Sequence, residues 1–397
     1  MSLGEFVGLK KSHIIRMLFK SRKGLGQSKK YNKKAKEFWK VKEQMMIDEI
    51  TKYMSGPEEK LLKLSRNYAK KIGFNELTCN KEDVKSFKRI LKHFGEEIVV
   101  PDFVRYATRT GFLTVVIAPA LAAADGLGGM DEKSLNEWLY GIGICLPVSA
   151  DVCDSVLDEE VLRHPLIPYE TWITCHKLGA AIIFYIGLEH VEKIKTGDGK
   201  IKKRILKRLK EGLDNVSEKQ MADYKAQTEP YTSLNLIEKI YEGKICEIEA
   251  TVFGTIPSKK FDIIKIFEEG ARFFAGELQI ADDIEDLLGD VNLCKEPSVP
   301  NPSFFLTYSI DLWNKGESDI KKIIEGAMKR TLERGEKYHE KVEEALEKLP
   351  KDFPTRPFFE ITLWYYNKVL KNKVKEFLKG DTFSEIEPKL LKILKSR

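Results

Sequence analysis

The chain has 397 residues, with 67 Lys and Arg against 61 Asp and Glu, and its formal net charge is +6. The basic excess lies at the N-terminus: residues 1–40 hold 12 basic and two acidic residues, whereas the remainder carries a net charge of −4. A slightly acidic body argues against a nucleic-acid-binding protein, which needs a basic stripe of its own. The hydrophobic content of 42% is enough for a globular core.

Three further features of composition predict a cytoplasmic protein. No apolar run reaches the ~18 residues that span a bilayer. The basic N-terminal segment is not followed by the apolar stretch and cleavage site of a secretory signal. The six cysteines are scattered without CxxC spacing, as is typical of reduced, buried thiols.

Along the body, apolar residues recur at three- and four-residue spacing, which predicts one helix after another. The predicted helices cover residues 42–54, 58–72, 81–93, 135–158, 170–193, 201–224, 233–252, 261–288, 320–349 and 356–379. No segment alternates with a period of two between hairpin turns. We therefore expect one large all-α helical bundle over residues 41–397.

Residues 1–40 form a basic leader, in which apolar side chains such as Phe6, Ile15 and Phe19 alternate with Lys and Arg. One interpretation is a segment that lies on an anionic membrane surface. The other is a solvated, partly flexible tail. The sequence leaves both open.

Two groups of carboxylates stand out because each follows a strongly apolar helical stretch. In the first, Asp154 and Asp158 are one helical turn apart, and Asp151 shares their side. In the second, which lies within residues 276–290, Asp282 and Asp286 have the same spacing, and Asp283 is next to Asp282 in sequence. Carboxylates in apolar surroundings are costly unless they meet cations. Oxygen ligands of this kind suit Mg²⁺, which fills its shell with water and phosphate oxygens, so two such clusters predict a diphosphate site.

These residues resemble motifs of the trans-isoprenyl diphosphate synthases, or polyprenyl synthetases. Residues 276–290, GELQIADDIEDLLGD, are similar to the second aspartate-rich motif with its preceding Gln. Residues 154–165, DSVLDEEVLRHP, match the first motif in part, with Ser155 at the second Asp position. Residues 242–250, EGKICEIEA, resemble the Lys-Thr stretch, with Ile245 in place of Thr.

The resemblance implies the class I isoprenoid synthase fold with a central active-site cavity, and a homodimer. It implies that Mg²⁺ is bound by Asp154, Asp158, Asp282, Asp283 and Asp286. It also implies that Arg163, Lys244 and Gln279 bind an allylic prenyl diphosphate, and that Asp154, Asp158, Lys244 and Asp282 are catalytic.

Two small residues before the first motif, Ser149 and Ala150, stand where the family limits the length of the prenyl chain. Their size resembles that in enzymes that accept chains of about fifteen carbons or longer. The allylic prenyl diphosphate expected here is therefore a long one.

The family's second pocket, for isopentenyl diphosphate, is not evident. Where the family has a Gly-Lys-Arg-x-Arg-Pro motif, residues 111–116 read Gly-Phe-Leu-Thr-Val-Val. Pro147 stands in place of a His, and His164 in place of the second Arg after the first motif. An apolar pocket cannot bind a diphosphate without leaving its charge unpaired. A shifted alignment in which Arg105 or Arg109 binds this substrate stays open.

Three functions follow as hypotheses. The first is an Mg²⁺-dependent isoprenoid synthase that ionises an allylic diphosphate, after which the cation is cyclised, quenched by water or transferred to another acceptor. The second is a chain-elongating prenyltransferase with a divergent isopentenyl diphosphate site. The third is a non-catalytic subunit that binds prenyl diphosphate.

Overall fold

The structure is a computed structural model that describes residues 25–108, 116–159, 161–228, 233–288, 299–300, 302–365, 370–379 and 383–396. Over these ranges the chain is helical and contains no strand, so the all-α prediction is confirmed. The chain divides into two compact units. The first unit contains Gly26–Ser217 and Thr255–Phe261, and the second contains Glu218–Gly254 and Asp262–Arg397.

The helices of the first unit, in chain order, are α1 (Leu25–Met54), α2 (Glu58–Ile72), α3 (Lys81–Phe94), α4 (Glu96–Ala107), α5 (Ala118–Leu127), α6 (Glu132–Tyr140), α7 (Leu146–Leu157), α8 (Tyr169–Lys193) and the first part of α9 (Gly199–Thr228). The second unit takes the end of α9 and continues with α10 (Leu234–Gly243), α11 (Ile245–Gly254), α12 (Phe261–Leu288), α13 (Phe304–Asn314), α14 (Ile320–Glu347), α15 (Arg356–Tyr365), α16 (Lys371–Phe377) and α17 (Phe383–Ser396).

Helix α1 begins at Leu25, whereas the sequence predicts a helix only from residue 42. Its first half is too rich in lysine to show an apolar stripe, yet Tyr31 and Ala35, one turn apart, are buried. Tertiary packing therefore stabilises a segment whose own pattern is weak. The predicted boundary at residue 40 lies inside this helix, and the division into a leader and one domain stays a prediction.

Helices α4, α5, α13 and α17 are absent from the prediction. Helix α4 contains Pro101, which argues against a helix interior. Five of the ten residues of helix α5 are alanine and most of its side chains are buried, so the sequence shows little of an amphipathic period.

Helices α6 and α7 form one continuous helix, joined by a π-helical turn at Gly141–Cys145 in which Leu146 N–H donates to the carbonyl of Gly141. This long helix packs along α8. The two backbones approach closely at a pair of glycines: a Cβ added to Gly141 would lie 2.8 Å from the carbonyl oxygen of Gly187.

By length and composition, two helices are apolar enough to cross a membrane, at Glu132–Leu157 and Tyr169–Lys193. The first contains the π-helical turn and agrees with the single helix predicted over residues 135–158. In each, 72% of the apolar window is buried inside the protein, as in the core helices of a bundle. Length and composition are therefore weak evidence for a membrane span here.

The core of the second unit lies along one side of α12, where Ile280, Ile284 and Leu287 are fully buried. They pack in one cluster with residues of α13 and α14, among them Phe304 and Met328. This packing fixes the rotation of α12 and therefore the positions of its carboxylates.

We expect Gly141→Ala to lower the free energy of unfolding by about 1–3 kcal/mol, because the added methyl group meets a backbone carbonyl that cannot move aside. Chemical denaturation measures the change. The control is Gly197→Ala, where an added Cβ meets nothing within 4 Å. A loss of stability as large in the control would contradict the close helix contact.

Candidate functional site

The first aspartate cluster lies on α7, in the first unit. Asp151 and Asp154 are half-buried on the same side of the helix, and Asp158, also half-buried, ends it. The next residue, Glu159, adopts the left-handed conformation with φ of 56°, which stops the helix directly after the motif. The chain thus leaves the direction of α7 immediately after Asp158, the last carboxylate of the motif.

Ser149, predicted to line the prenyl pocket, is buried in a hydrogen-bonded network. Its hydroxyl donates to the carbonyl of Ala180 at 2.8 Å and lies 3.0 Å from the hydroxyl of Tyr68. Ala150, on the next position of α7, is half-buried. That Ser149 and Ala150 leave room for a long prenyl chain stays a prediction.

The second aspartate cluster lies on α12, in the second unit. Asp282 and Asp286 are half-buried, whereas Asp283 is only 6% exposed. The amide of Gln279 donates to Asp283 Oδ1 at 3.0 Å, and Asp283 Oδ2 is buried without a hydrogen-bond partner. Gln279 thus provides a hydrogen bond to one of the two oxygens of a carboxylate that lies in an apolar core.

Lys244 lies at a break between α10 and α11, where the sequence predicts one continuous helix. Its backbone, at φ −101° and ψ −99°, departs from the helix. The break directs the Lys244 ammonium to Asp223 on α9, to which it donates a hydrogen bond. Gly243 permits this arrangement, because a Cβ there would lie 2.0 Å from the side chain of Lys219.

Asp283 lies in surroundings that disfavour its ionised form. Burial, together with the negative charges of Asp286 and Asp223, raises its pKa well above the usual range. The same interactions show that Asp223 belongs to this cluster, so Lys244 holds an acid that is itself close to Asp283. The second unit thus gathers Asp223, Lys244, Gln279, Asp283 and Asp286.

Arg163 and His164, which follow the first motif, have different surroundings. Arg163 is exposed and lies over the ring of Tyr169 at 5.1 Å. His164 is turned inward: its Nδ1 accepts from the backbone N–H groups of Leu166 and Ile167, both at 3.1 Å. Its Nε2 therefore carries the ring proton, 3.3 Å from Asp102 Oδ2.

The position of His164 bears on the second pocket. Arg105 also lies 3.3 Å from Asp102, so one carboxylate of α4 engages both side chains. Pro147 is buried near the start of α7. Of the motif-like residues 111–116, only Val116 is described, and it is buried; residues 111–115 and Arg109 lie outside the described residues.

Two acids of the second unit were missed by sequence reasoning. Asp223 was hidden in the lysine-rich α9. Glu249, on α11, is 3% exposed with Oε2 unpartnered, and burial raises its pKa to about 8. The available signal for Glu249 was the Glu-Ile-Glu sequence inside an otherwise apolar helix.

Phe274, a candidate for an aromatic wall, is a core residue that packs edge-on against Phe359 at 5.1 Å. Phe273 is half-buried beside Tyr338. The side chains of Trp364 and Tyr365, and all of Tyr366, lie outside the described residues.

The residues of the second cluster fit a hard cation. A buried carboxylate oxygen without a partner, with two further carboxylates nearby, is a donor set of the kind that Mg²⁺ prefers. Within the described ranges, no three His, Cys, Asp or Glu side chains converge into a complete metal-binding group. The fit is therefore to an ion that takes few protein ligands and completes its shell with water or phosphate oxygens.

We expect Asp283→Asn to raise the free energy of unfolding at neutral pH by about 1–3 kcal/mol, the cost of a buried group left unsatisfied. A carboxyl group whose pKa is raised on folding makes the protein less stable as the pH rises above the carboxyl's unfolded pKa of about 4. The gain should therefore shrink as the pH is lowered towards that value. Denaturation of the metal-free protein across pH, with the exposed Asp262→Asn as control, measures it; an equal gain at every pH would contradict the assignment.

No family model matches the sequence, and no curated protein matches it either. Solved structures do match. Geranylgeranyl pyrophosphate synthetase from Pyrococcus horikoshii Ot3 aligns with a TM-score of 0.57 and 15% identity, over 86% of this chain and 99% of its own. Polyprenyl synthase from Caulobacter crescentus CB15, complexed with calcium and isoprenyl diphosphate, gives 0.55 and 14%, over 79% and 98%. Geranylgeranyl pyrophosphate synthetase from Geoglobus acetivorans gives 0.52 and 14%, over 84% and 99%. The chain therefore has the all-α fold of the trans-isoprenyl diphosphate synthases.

Proposed function

We propose that the protein is an Mg²⁺-dependent isoprenoid synthase that ionises a long allylic prenyl diphosphate. The resulting cation is cyclised, quenched by water or transferred to an acceptor other than isopentenyl diphosphate. The fold is that of enzymes named for prenyl diphosphate synthesis. The proposed difference from those enzymes is that isopentenyl diphosphate is not the second substrate. The cytoplasmic setting and the homodimer stay predictions.

The observation that carries the proposal is the cluster of the second unit. Asp283 is buried with an unsatisfied oxygen, although the core around it is apolar. A fold that needed only stability would gain from an uncharged residue there. Retention of Asp283, with Gln279 oriented on it, therefore favours a functional role and argues against a purely non-catalytic subunit.

The residues of this cluster have distinct proposed roles. In the second unit, Asp282, Asp283 and Asp286 would hold Mg²⁺; for Asp154 and Asp158, which belong to the first unit, Mg²⁺ binding is proposed separately. Bound Mg²⁺ supplies positive charge that stabilises the leaving diphosphate. Lys244 binds the same diphosphate, and Asp223 positions its ammonium through the hydrogen bond between them. Arg163, exposed beside the first motif, is a further diphosphate ligand.

The state of His164 supports the absence of isopentenyl diphosphate as acceptor. Its two ring nitrogens are occupied by backbone N–H groups and by Asp102, so it has no donor left for a diphosphate. Arg105, the other nearby cation, also faces Asp102, which weakens its attraction for an anion. A dianionic substrate needs several free donors.

We expect Mg²⁺-dependent release of diphosphate from farnesyl or geranylgeranyl diphosphate without isopentenyl diphosphate. The measurement is diphosphate release together with mass spectrometry of the products. Elongated products that form only when both substrates are present would replace the proposal by the chain-elongating alternative. Binding of intact prenyl diphosphate without turnover would favour a non-catalytic subunit.

We expect Asp282→Ala to lower turnover by at least about a hundredfold, because electrostatic groups that stabilise a developing charge commonly contribute that much. The helix should persist, since the side chain is half-buried and alanine favours helices. Asp262→Ala, an exposed change at the start of the same helix, is the matched control. Circular dichroism confirms folding, and unchanged turnover in Asp282→Ala would refute the site.

A further inference from the structure

Helix α1 is fixed to the first unit by the face that it turns inward. Tyr31 donates a hydrogen bond to Asp125 at 2.5 Å, and Lys30 pairs with the same carboxylate at 3.3 Å. At the other end, Glu49 accepts from the hydroxyl of Tyr140 at 2.9 Å and lies 3.1 Å from His190 Nε2. The helix therefore has a defined outward face over its whole length.

This outward face carries a lysine stripe, formed by Lys29, Lys33, Lys36 and Lys40, all of them exposed. Their spacing of four, three and four residues places them in one row on the helix surface. The row is about 16 Å long, at 1.5 Å per residue. Glu37 lies 3.8 Å from Lys33, but both side chains are well exposed, so this pair is screened by water.

We propose that the lysine stripe of α1 docks the protein on an anionic lipid bilayer. Four to eight lysines or arginines on one helix are enough to bind the negative surface of a membrane. Val41 is 67% exposed but is turned about 100° from Lys40 around the helix, so the row of charges carries the contact. The preceding residues 1–24 also alternate apolar with basic residues in sequence, although they lie outside the described residues.

The composition of α1 favours lipid over nucleic acid. Residues 25–54 contain no arginine, the residue best suited to bidentate phosphate and base contacts. Phe38 and Trp39 are half-buried, and Lys42 lies 5.5 Å from the Phe38 ring centre, so one face of that ring is already covered against base stacking. Point charges in a row match a flat, negatively charged surface.

The test is co-sedimentation of the full-length protein with vesicles of phosphatidylcholine, with and without phosphatidylserine. The first variant replaces all four lysines of the stripe by Gln. We expect the wild type to bind only the anionic vesicles and the variant to lose at least about a hundredfold in partitioning, since each lysine near such a surface contributes roughly fivefold. High salt should release the wild type.

Helix α9 supplies the matched control, because it carries a second exposed row of lysines at Lys200, Lys203, Lys207 and Lys210. Replacing these four by Gln changes the net charge by the same amount and should leave vesicle binding unchanged. A third variant, with Arg at the four stripe positions of α1, should retain binding and excludes a folding defect as the cause of any loss.

Three results would overturn the proposal: no binding of the wild type to anionic vesicles, equal losses in the α1 and α9 variants, or release from vesicles by an RNA or DNA competitor that binds more tightly. Binding is measured without substrate. Its outcome is therefore independent of the proposed enzymatic activity.

Discussion

The arrangement of the second unit depends on one costly feature, a carboxylate buried in the apolar side of α12. Transfer of an ionised group from water into such surroundings is strongly unfavourable unless partners compensate it. Asp283 receives one hydrogen bond, from Gln279, and faces two further acids. Lys244 donates its hydrogen bond to Asp223. A cationic ligand would offset the repulsion of Asp283 by Asp286 and Asp223.

Three buried polar side chains of the first unit differ from Asp283, because their hydrogen-bonding groups have partners. Ser149 both accepts and donates, and each ring nitrogen of His164 has a partner. His190 likewise lies between Glu49 and Glu137. Such groups stabilise the packing of the helices to which they belong, and they have no unused capacity for a ligand. Position in the sequence had made Ser149 a candidate for the prenyl pocket and had placed His164 where the family has an Arg; the hydrogen bonds of both side chains hold the packing around them.

Much of the helical order could be read from the sequence, because helices α2 and α12 bury one apolar face and leave the other polar. Where the apolar pattern gave no indication or the wrong one, tertiary contacts determined the helix boundaries. Helix α1 is lysine-rich and is stabilised by Tyr31 and Ala35 on the protein side. The break at Lys244 leaves the apolar pattern of residues 233–252 intact, so periodicity could not reveal it.

The residues of the candidate site, like the helices, could be predicted where the sequence carries a clear pattern and were missed where it does not. The aspartates of α12 were evident because acids interrupt an apolar helix, and the resemblance named Lys244 and Gln279. Asp223 could not be found in this way, since α9 is mostly charged and one more acid there is unremarkable in sequence. Its importance comes from burial and from its partner, which only the three-dimensional arrangement provides.

The π-helical turn between α6 and α7 has a consequence for how this protein can change over time. A π turn holds one residue more than an α-helical turn, whereas a residue lost from a regular α-helix turns all later side chains by about 100°. Loss of one residue from Gly141–Cys145 would therefore close the π turn into an α-helical turn and keep the direction of Asp154 and Asp158 relative to α6. The same loss between Leu146 and Asp154 would re-aim both carboxylates, so the π turn is a place where the long helix can absorb a deletion without moving the motif.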